Sequence, residues 1–230
     1  MQTGRVESGA DGYRQTDAAM NAPNAQSCTF GSLRISYDDR VLAPRSWTEA
    51  QSRWVADLSA RAPAGAIAEL CAGAGHIGLL AAVLTGRPLV QVEADAVAAD
   101  FARGNAAATA AAPRVEVRTK PIQSAFAAGE RFPLLIADPP YLPTAEVARF
   151  PDDPLTAIDG GPDGLALLGV CLDVTTSHLL DDGAAVFQVA GPAQADSLAR
   201  MCEGSGLAAH ERRVVDDERA LVLLRPQRLR

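Results

Sequence analysis

The chain contains 230 residues, of which 48% are hydrophobic, and it carries a formal net charge of −7 with an isoelectric point near 5.0. This length and apolar content suffice for a single α/β core. The acidic balance argues against a broad phosphate-binding surface, because proteins that bind nucleic acids usually carry basic patches.

The cysteines and histidines of the chain lack the spacing of metal ligands, so no metal site is expected. Only His76, beside a glycine-rich turn, is expected near a ligand. The chain has no uncharged apolar run of roughly 18 residues, and its start lacks the basic and apolar regions of a signal peptide. We therefore expect a cytoplasmic protein with reduced thiols and no membrane contact.

The chain divides into an arm and one domain. Residues 1–28 are rich in Ala, Gln, Asn, Asp and Gly with little periodicity, which predicts a flexible N-terminal arm before a domain over residues 29–230. In the domain, helices are predicted at 47–61, 77–84, 95–108, 164–180 and 193–204, and strands at 88–92, 115–117, 134–137, 184–189, 208–214 and 220–224. This alternation predicts an α/β fold with a largely parallel sheet and helices on both faces.

Residues 66–78 are predicted to form a strand, a glycine-bearing turn and the start of a helix. The glycines let the backbone approach a ligand closely. The next strand ends in Glu93, about 20 residues beyond the turn, where dinucleotide-type folds place an acid on ribose hydroxyls. A Rossmann dehydrogenase shares this pattern, so the turn alone leaves the chemistry open.

The strand at 134–137 runs into Asp138-Pro139-Pro140-Tyr141, which favours methylation of a planar amino group over dehydrogenation. An amide or nucleobase NH2 attacks carbon poorly unless its N–H bonds are held by acceptors. The Asp138 carboxylate and the Pro139 carbonyl would supply them, since consecutive prolines keep the backbone extended. Tyr141 would stack on the planar group. The alternative is a strand that simply ends in a proline-rich turn.

Four segments together, residues 41–49, 69–78, 138–141 and 154–165, resemble a known family in the order that the family has them. The chain looks like a class I S-adenosylmethionine-dependent methyltransferase and resembles the release-factor glutamine N5-methyltransferase group. It is too short at its start for that group's N-terminal helical domain. The resemblance implies a Rossmann-like fold with a doubly wound, mostly parallel, seven-stranded sheet and helices on both faces.

The resemblance also implies a set of site residues. The residues that would act on the substrate amino group are Asp138, Pro139 and Tyr141, and those that would bind S-adenosyl-L-methionine are Glu69, Cys71, Gly73, Gly75, Glu93, Asp138, Arg45 and Thr48. Arg45 and Thr48, with Glu49, would lie over the cofactor as part of a lid. Asn105 stands where the family has a recurrent asparagine.

The chain departs from the family at three places. Cys71 replaces the first glycine of the turn, which is tolerable if that position keeps φ below zero. Asp138 replaces the usual asparagine, and aspartate there is more typical of enzymes that act on adenine N6. No acid follows the strand at 115–117, so Gln123 or a backbone group would have to contact the adenine amino group.

The resemblance implies an N-methyltransferase whose first choice of substrate is a glutamine side chain exposed on a protein, because the segments 41–49 and 154–165 are the most specific to that group. A nucleobase, either adenine N6 or guanine N2 in RNA or DNA, and a small metabolite are the alternatives, although the acidic charge disfavours a nucleic acid partner. A catalytically silent S-adenosylmethionine-binding scaffold is the alternative outside enzymes.

Overall fold

The structure, a computed structural model, describes residues 24–227. The described part begins with a hairpin of two antiparallel strands, β1 (Gln26–Phe30) and β2 (Leu33–Tyr37), which the sequence analysis did not predict. Most of the predicted arm, residues 1–23, lies outside the described residues, and the predicted boundary at residue 28 falls within β1. The folded hairpin therefore starts before the predicted domain.

A seven-stranded sheet forms the centre of the molecule. Its strands are β3 (Ile67–Leu70), β4 (Leu89–Glu93), β5 (Val115–Thr119), β6 (Phe132–Ala137), β7 (Leu179–Val189), β8 (Leu207–Asp216) and β9 (Arg219–Pro226). Their order is β5-β4-β3-β6-β7-β9-β8. The first five strands in this order are parallel, whereas β9 is antiparallel to both neighbours. The predicted mostly parallel seven-stranded sheet is confirmed.

Six α-helices connect the strands within the described residues. They are α1 (Glu49–Ser59), α2 (His76–Thr85), α3 (Ala96–Ala108), α4 (Leu155–Ile158), α5 (Ala166–His178) and α6 (Gly191–Met201), with 3-10 turns at Ser46–Thr48, Ile122–Ser124 and Thr144–Arg149. Asp95 caps α3, because its carboxylate accepts the Ala98 N–H at 2.8 Å. The predicted long helices all form, with ends that differ by a few residues.

The two faces of the sheet carry separate hydrophobic clusters. Alternate residues of β6 point to opposite faces, so Leu134 and Ile136 join one cluster while Leu135 and Ala137 join the other. The first cluster contains residues of α1, α2 and α3 together with the β1–β2 hairpin, and the second contains residues of α5 and α6. Helices thus cover both faces, as the alternating pattern predicts.

Between residues 24 and 227, none of the helices has both the length and the apolar composition needed to cross a bilayer.

Candidate active site

Three acids meet at one edge of the sheet. Glu69 lies in β3, Glu93 is the last residue of β4, and Asp138 follows β6 directly. These three strands are parallel neighbours in the sheet, so their carboxyl ends lie side by side. The predicted cofactor acids and the predicted substrate acid therefore belong to one site, at the edge where parallel α/β sheets bind ligands.

Glu69 is buried next to the glycine turn and binds the start of the helix that follows it. Its side chain is only 1% exposed, and its carboxylate accepts the Gly78 N–H at 2.8 Å and the Gln91 amide at 2.6 Å. Burial raises the pKa of Glu69 to about 7, although the two hydrogen bonds act to lower it. The nearby acids Asp138 and Glu93 raise it slightly further. Glu69 thus ties β3, β4 and α2 together.

Glu93 closes the other side of the same turn. One of its oxygens accepts the Gly73 N–H at 2.8 Å and the other accepts the Asp95 N–H at 2.9 Å. Burial raises the pKa of Glu93. Each carboxylate oxygen keeps a further lone pair, so Glu93 can still accept hydrogen bonds from a ligand.

The turn itself depends on left-handed backbone conformations. Gly73 has a φ of 54° and open space where a side chain would stand, whereas a Cβ on Gly75, at φ 80°, would lie 2.7 Å from Gln91 Nε2. Gly73 therefore leaves room beside Glu93, and Gly75 allows the turn to pack on β4.

Cys71 corrects one expectation. Its φ is 57°, and it is the one non-glycine residue with positive φ in the described chain. The sequence analysis made a cysteine tolerable here on the condition that φ is negative, and that condition is not met, because the backbone is left-handed at this position. The thiol packs beside Cys171 of α5, and this neighbour, together with burial, raises the pKa of Cys71.

Asn105 joins the turn to the N-terminal hairpin. Its amide accepts the Ser36 N–H at 2.8 Å and donates to the carbonyls of Ser36, at 3.0 Å, and Ala74, at 2.9 Å. His76 packs edge-on against Phe30 of the same hairpin at 4.7 Å between ring centroids, and its Nδ1 is buried without a partner in the described chain. Burial lowers the pKa of His76 to about 3, so the ring is neutral.

Asp138 stands at the end of β6 without a partner. Within residues 24–227 no hydrogen bond or ion pair involves its carboxylate, and burial raises its pKa to about 7. The Pro139 carbonyl likewise accepts no hydrogen bond from the described residues. An acid and a carbonyl that are both held by the fold and both unpaired form a receptor for N–H donors.

The segment after Asp138 is fixed by the loop that precedes α5. The carbonyl of Tyr141 accepts the Gln194 amide at 3.0 Å, and Gln194 also donates to Gly164 at 3.1 Å. Leu142 and Gly160 pair through a backbone hydrogen bond of 2.8 Å. Burial raises the pKa of Tyr141, so its hydroxyl keeps its proton. The predicted motif at 154–165 therefore holds the Asp138–Tyr141 motif in place.

A cavity of about 720 Å³ opens beyond Asp138. Arg45 and Thr48 line it, with Arg45 bound to Asp153 at 2.5 Å and Thr48 Oγ1 donating to the Arg45 carbonyl at 2.8 Å. The cavity is lined by residues of four other segments, among them Tyr141, Phe150, Leu165, Gln194 and Arg219. Arg45 and Thr48 thus border the same cavity as Asp138.

Several residues that build the site were not predicted. Three of them are buried glutamines, Gln51, Gln91 and Gln194. Two more, Trp47 and Arg219, line the cavity, and the Arg219 guanidinium lies 4.5 Å from the Trp47 ring centroid. Gln91 could have been found, because it is a polar residue inside the otherwise apolar run of residues 89–92. Gln51 and Gln194 lie on amphipathic helices, where a polar residue carries no signal.

The fold of the sheet and its helices is that of solved Rossmann-like methyltransferases. The ribosomal protein L11 methylase of Lactobacillus delbrueckii subsp. bulgaricus has this fold, with a TM-score of 0.60 at 12% identity over 83% of each chain. No family model matches the chain.

In sequence, the chain resembles glutamine methyltransferases, as its four motifs predicted. It is 31% identical over 169 residues to the release factor glutamine methyltransferase of Mycolicibacterium smegmatis, a match that covers 68% of this chain and 57% of the relative. It is 29% identical over 168 residues to the ribosomal protein uL3 glutamine methyltransferase of Bordetella pertussis, covering 68% of this chain and 54% of the relative. The chain therefore spans little more than half the length of these curated relatives.

Proposed function

We propose that the protein transfers a methyl group from S-adenosylmethionine to a planar amino group, and that the amino group is the side-chain amide of a glutamine in a protein. The observation that carries this proposal is the unpaired Asp138 carboxylate beside the unpaired Pro139 carbonyl, at the floor of the cavity. The names of the curated relatives support glutamine as the acceptor.

Two features of the glycine turn support S-adenosylmethionine as the cofactor. Glu93 would accept hydrogen bonds from the ribose hydroxyls, and the open space at Gly73 would take the ligand next to the backbone. Cys71, Gly75 and Glu69 would shape the pocket without needing to donate to the ligand. The cofactor, when bound, supplies an electrophilic methyl group.

Asp138 and Pro139 would orient the acceptor nitrogen. Each N–H of a carboxamide would meet one of the two acceptors, which holds the nitrogen in one place and favours its lone pair as the attacking group. Tyr141 would pack against the flat face of the amide. No side chain of the protein has to act as a nucleophile in this reaction, because the nitrogen of the substrate does so.

A nucleobase is the second candidate, because Asp138 stands where the glutamine methyltransferases have asparagine. A carboxylate accepts from both N–H bonds of an adenine amino group as well as from an amide. The lining of the cavity opposes this alternative, since it contains six acids and three arginines. Phosphate groups would meet an excess of negative charge there.

Cofactor binding is tested first by calorimetry. S-Adenosylmethionine and its demethylated product are titrated into the purified protein and into the Glu93→Ala variant, with Glu203→Ala, an exposed acid in the turn after α6, as the matched control. We expect micromolar binding that weakens in Glu93→Ala and is unchanged in Glu203→Ala. Absence of binding to either ligand would contradict the assignment of the turn.

Methyl transfer is tested with labelled cofactor on glutamine peptides, RNA oligonucleotides and small amides. Asp138→Ala should abolish transfer while cofactor affinity stays nearly intact, and Asp138→Asn, which restores the family's residue, should retain transfer to glutamine. Equal loss of transfer and cofactor binding in Asp138→Ala would refute the role of Asp138. Cofactor binding without transfer to any acceptor would favour the silent scaffold.

A further inference from the structure

We propose that the substrate glutamine lies in a basic segment of a protein, with lysine or arginine beside it, and that an acidic rim around the cavity selects this segment. The inference rests on the proposed function and adds the chemistry of the partner. We define the acidic rim as Glu146, Asp163, Asp217 and Glu218, which all line the cavity mouth.

The cavity is larger than a carboxamide needs. Its volume of about 720 Å³ falls in the range of roughly 300–1,000 Å³ that holds a drug-sized ligand. One glutamine side chain on Asp138 would leave most of this space for the residues that flank it. The walls of the cavity therefore contact the neighbouring side chains of the substrate, and their charge decides which neighbours are favoured.

The arginines of the cavity are already paired within the protein. Arg45 binds Asp153 at 2.5 Å, and Arg149 binds Glu146 at 2.8 Å and Glu218 at 2.9 Å. Arg219 forms an ion pair with Asp216. Because each cation is neutralised locally, the remaining acids set the sign of the field at the mouth.

The acids of the rim outnumber their cations. Arg149 alone serves both Glu146 and Glu218, which leaves one negative charge in excess. The Asp217 carboxylate has no hydrogen bond or ion pair with any residue from 24 to 227, and Asp163 accepts only the Leu165 N–H, at 3.0 Å. The rim is therefore a net negative surface.

The rim is also open to solvent, which suits recognition. The side chains of Glu146 and Glu218 are 46% and 70% exposed. Exposed charges of this kind contribute little to stability, but they raise association rates for a partner of opposite sign and repel one of the same sign. A basic protein segment is attracted to this rim, whereas a nucleic acid backbone is repelled.

The test uses three labelled peptides that share one central glutamine and differ only in its neighbours, which are lysine, serine or glutamate. Their affinities are measured by fluorescence anisotropy with the demethylated cofactor present, in about 0.05 M and about 0.5 M salt. We expect the lysine peptide to bind about tenfold more tightly than the glutamate peptide at low salt, and most of this difference to disappear at high salt.

Variants identify the rim as the source of the preference. Asp217→Asn combined with Glu218→Gln should reduce the preference for the lysine peptide at low salt, while Glu203→Gln, an exposed acid away from the cavity, should leave it unchanged. Equal affinity for the three peptides, no binding of the lysine peptide at millimolar concentration, or tighter binding of an RNA oligonucleotide than of the lysine peptide would overturn the inference.

A methylation assay on the same peptides separates this inference from the proposed function. If the lysine peptide binds with the expected preference but its glutamine is never methylated, the preference for a basic partner is supported and methyl transfer to glutamine is refuted. If all three peptides are methylated with equal kcat/KM at low salt, glutamine transfer stands and the acidic rim does not select the substrate.

Discussion

The side chain of Gln51 in α1 holds the strand that ends at Ala137. Its amide donates to the Ala137 carbonyl at 3.0 Å and to the Val186 carbonyl at 2.9 Å, so it joins β6 to β7 one residue before Asp138. Gln51 is fully buried, and its oxygen has no partner among the described residues. This glutamine therefore fixes the position from which Asp138 projects.

Replacing Gln51 by leucine should slow methyl transfer more than it weakens cofactor binding. Small displacements of a positioning group cost up to roughly 100-fold in rate, so we expect a loss of kcat of about 10-fold to 100-fold with unchanged cofactor affinity. The free energy of unfolding should fall by about 1–3 kcal/mol, because two buried carbonyls lose a donor. Gln26→Leu, at an exposed position of β1, is the control, and equal losses in both variants would contradict the role of Gln51.

The rate of methyl transfer should depend on the ionisation of Asp138. Burial raises its pKa to about 7, and the deprotonated carboxylate is a stronger acceptor for the substrate N–H than the protonated acid, which also carries a competing O–H donor. The single-turnover rate should therefore increase with pH up to about 7 and then level off. The Asp138→Asn variant should show no such increase of rate with pH. A wild-type rate that stays constant between about pH 5 and about pH 8 would exclude the carboxylate as the acceptor.

The free energy of unfolding should decrease as the pH rises, because of Glu69, whereas the rate of methyl transfer should increase. Burial raises its pKa in the folded protein to about 7, above an unfolded value of about 4.3. Between these two pKa values the folded protein keeps a proton on Glu69 that the unfolded protein has released. Protonation of Glu69 therefore stabilises the folded state fully below the unfolded pKa, and this stabilisation is lost as the pH rises to about 7. Urea unfolding of wild type and Glu69→Gln should show a smaller decrease of stability over this range in the variant.

Gly78 should not tolerate a side chain. A Cβ there would lie 2.8 Å from Glu69 Cδ and 3.0 Å from Leu89 Cδ1, both in buried strands. Gly78→Ala should cost about 1–3 kcal/mol of unfolding free energy and weaken cofactor binding, since Glu69 must move away from the turn. Gly169→Ala is the matched control, because it also lies within a helix and its Cβ would meet only Met201 Cε at 3.4 Å. That control should be neutral or stabilising.

The backbone at Cys71 should favour glycine over alanine. Both substitutions remove the thiol and its contact with Cys171, but only glycine adopts a φ of 57° without steric cost. Cys71→Gly should therefore be about 1 kcal/mol more stable than Cys71→Ala. Urea denaturation of the two variants measures this difference directly, and equal midpoints would mean that the turn relaxes to a negative φ.

The sequence predicted the sheet and the ends of three strands because these depend on local pattern. Apolar runs that end in an acid mark the carboxyl ends of buried parallel strands, and so Glu69, Glu93 and Asp138 could be placed at one edge. The β1–β2 hairpin was missed, because its strands lie next to a segment of low periodicity and their polar residues obscure the apolar pattern.

The contacts that hold the site could not be predicted, because they join residues far apart in the chain. The pair of Gln51 with Ala137 spans 86 residues, and the pair of Arg149 with Glu218 spans 69. Neither pair leaves a pattern in a single sequence. The φ of Cys71 could not be predicted for a different reason, since steric preference favours a negative φ for a cysteine and the turn holds a positive one.

The two walls of the cavity differ in how firmly they are held. The turn that carries Asp217 and Glu218 is fixed by β9, whose Ala220 pairs with Val189 of β7 within the central sheet. The opposite wall includes the 3-10 turn Thr144–Arg149, in which no residue is buried. Segments with few buried contacts open at low free energy, so a substrate that needs more room would gain it at residues 144–149 sooner than at the sheet that carries Asp138.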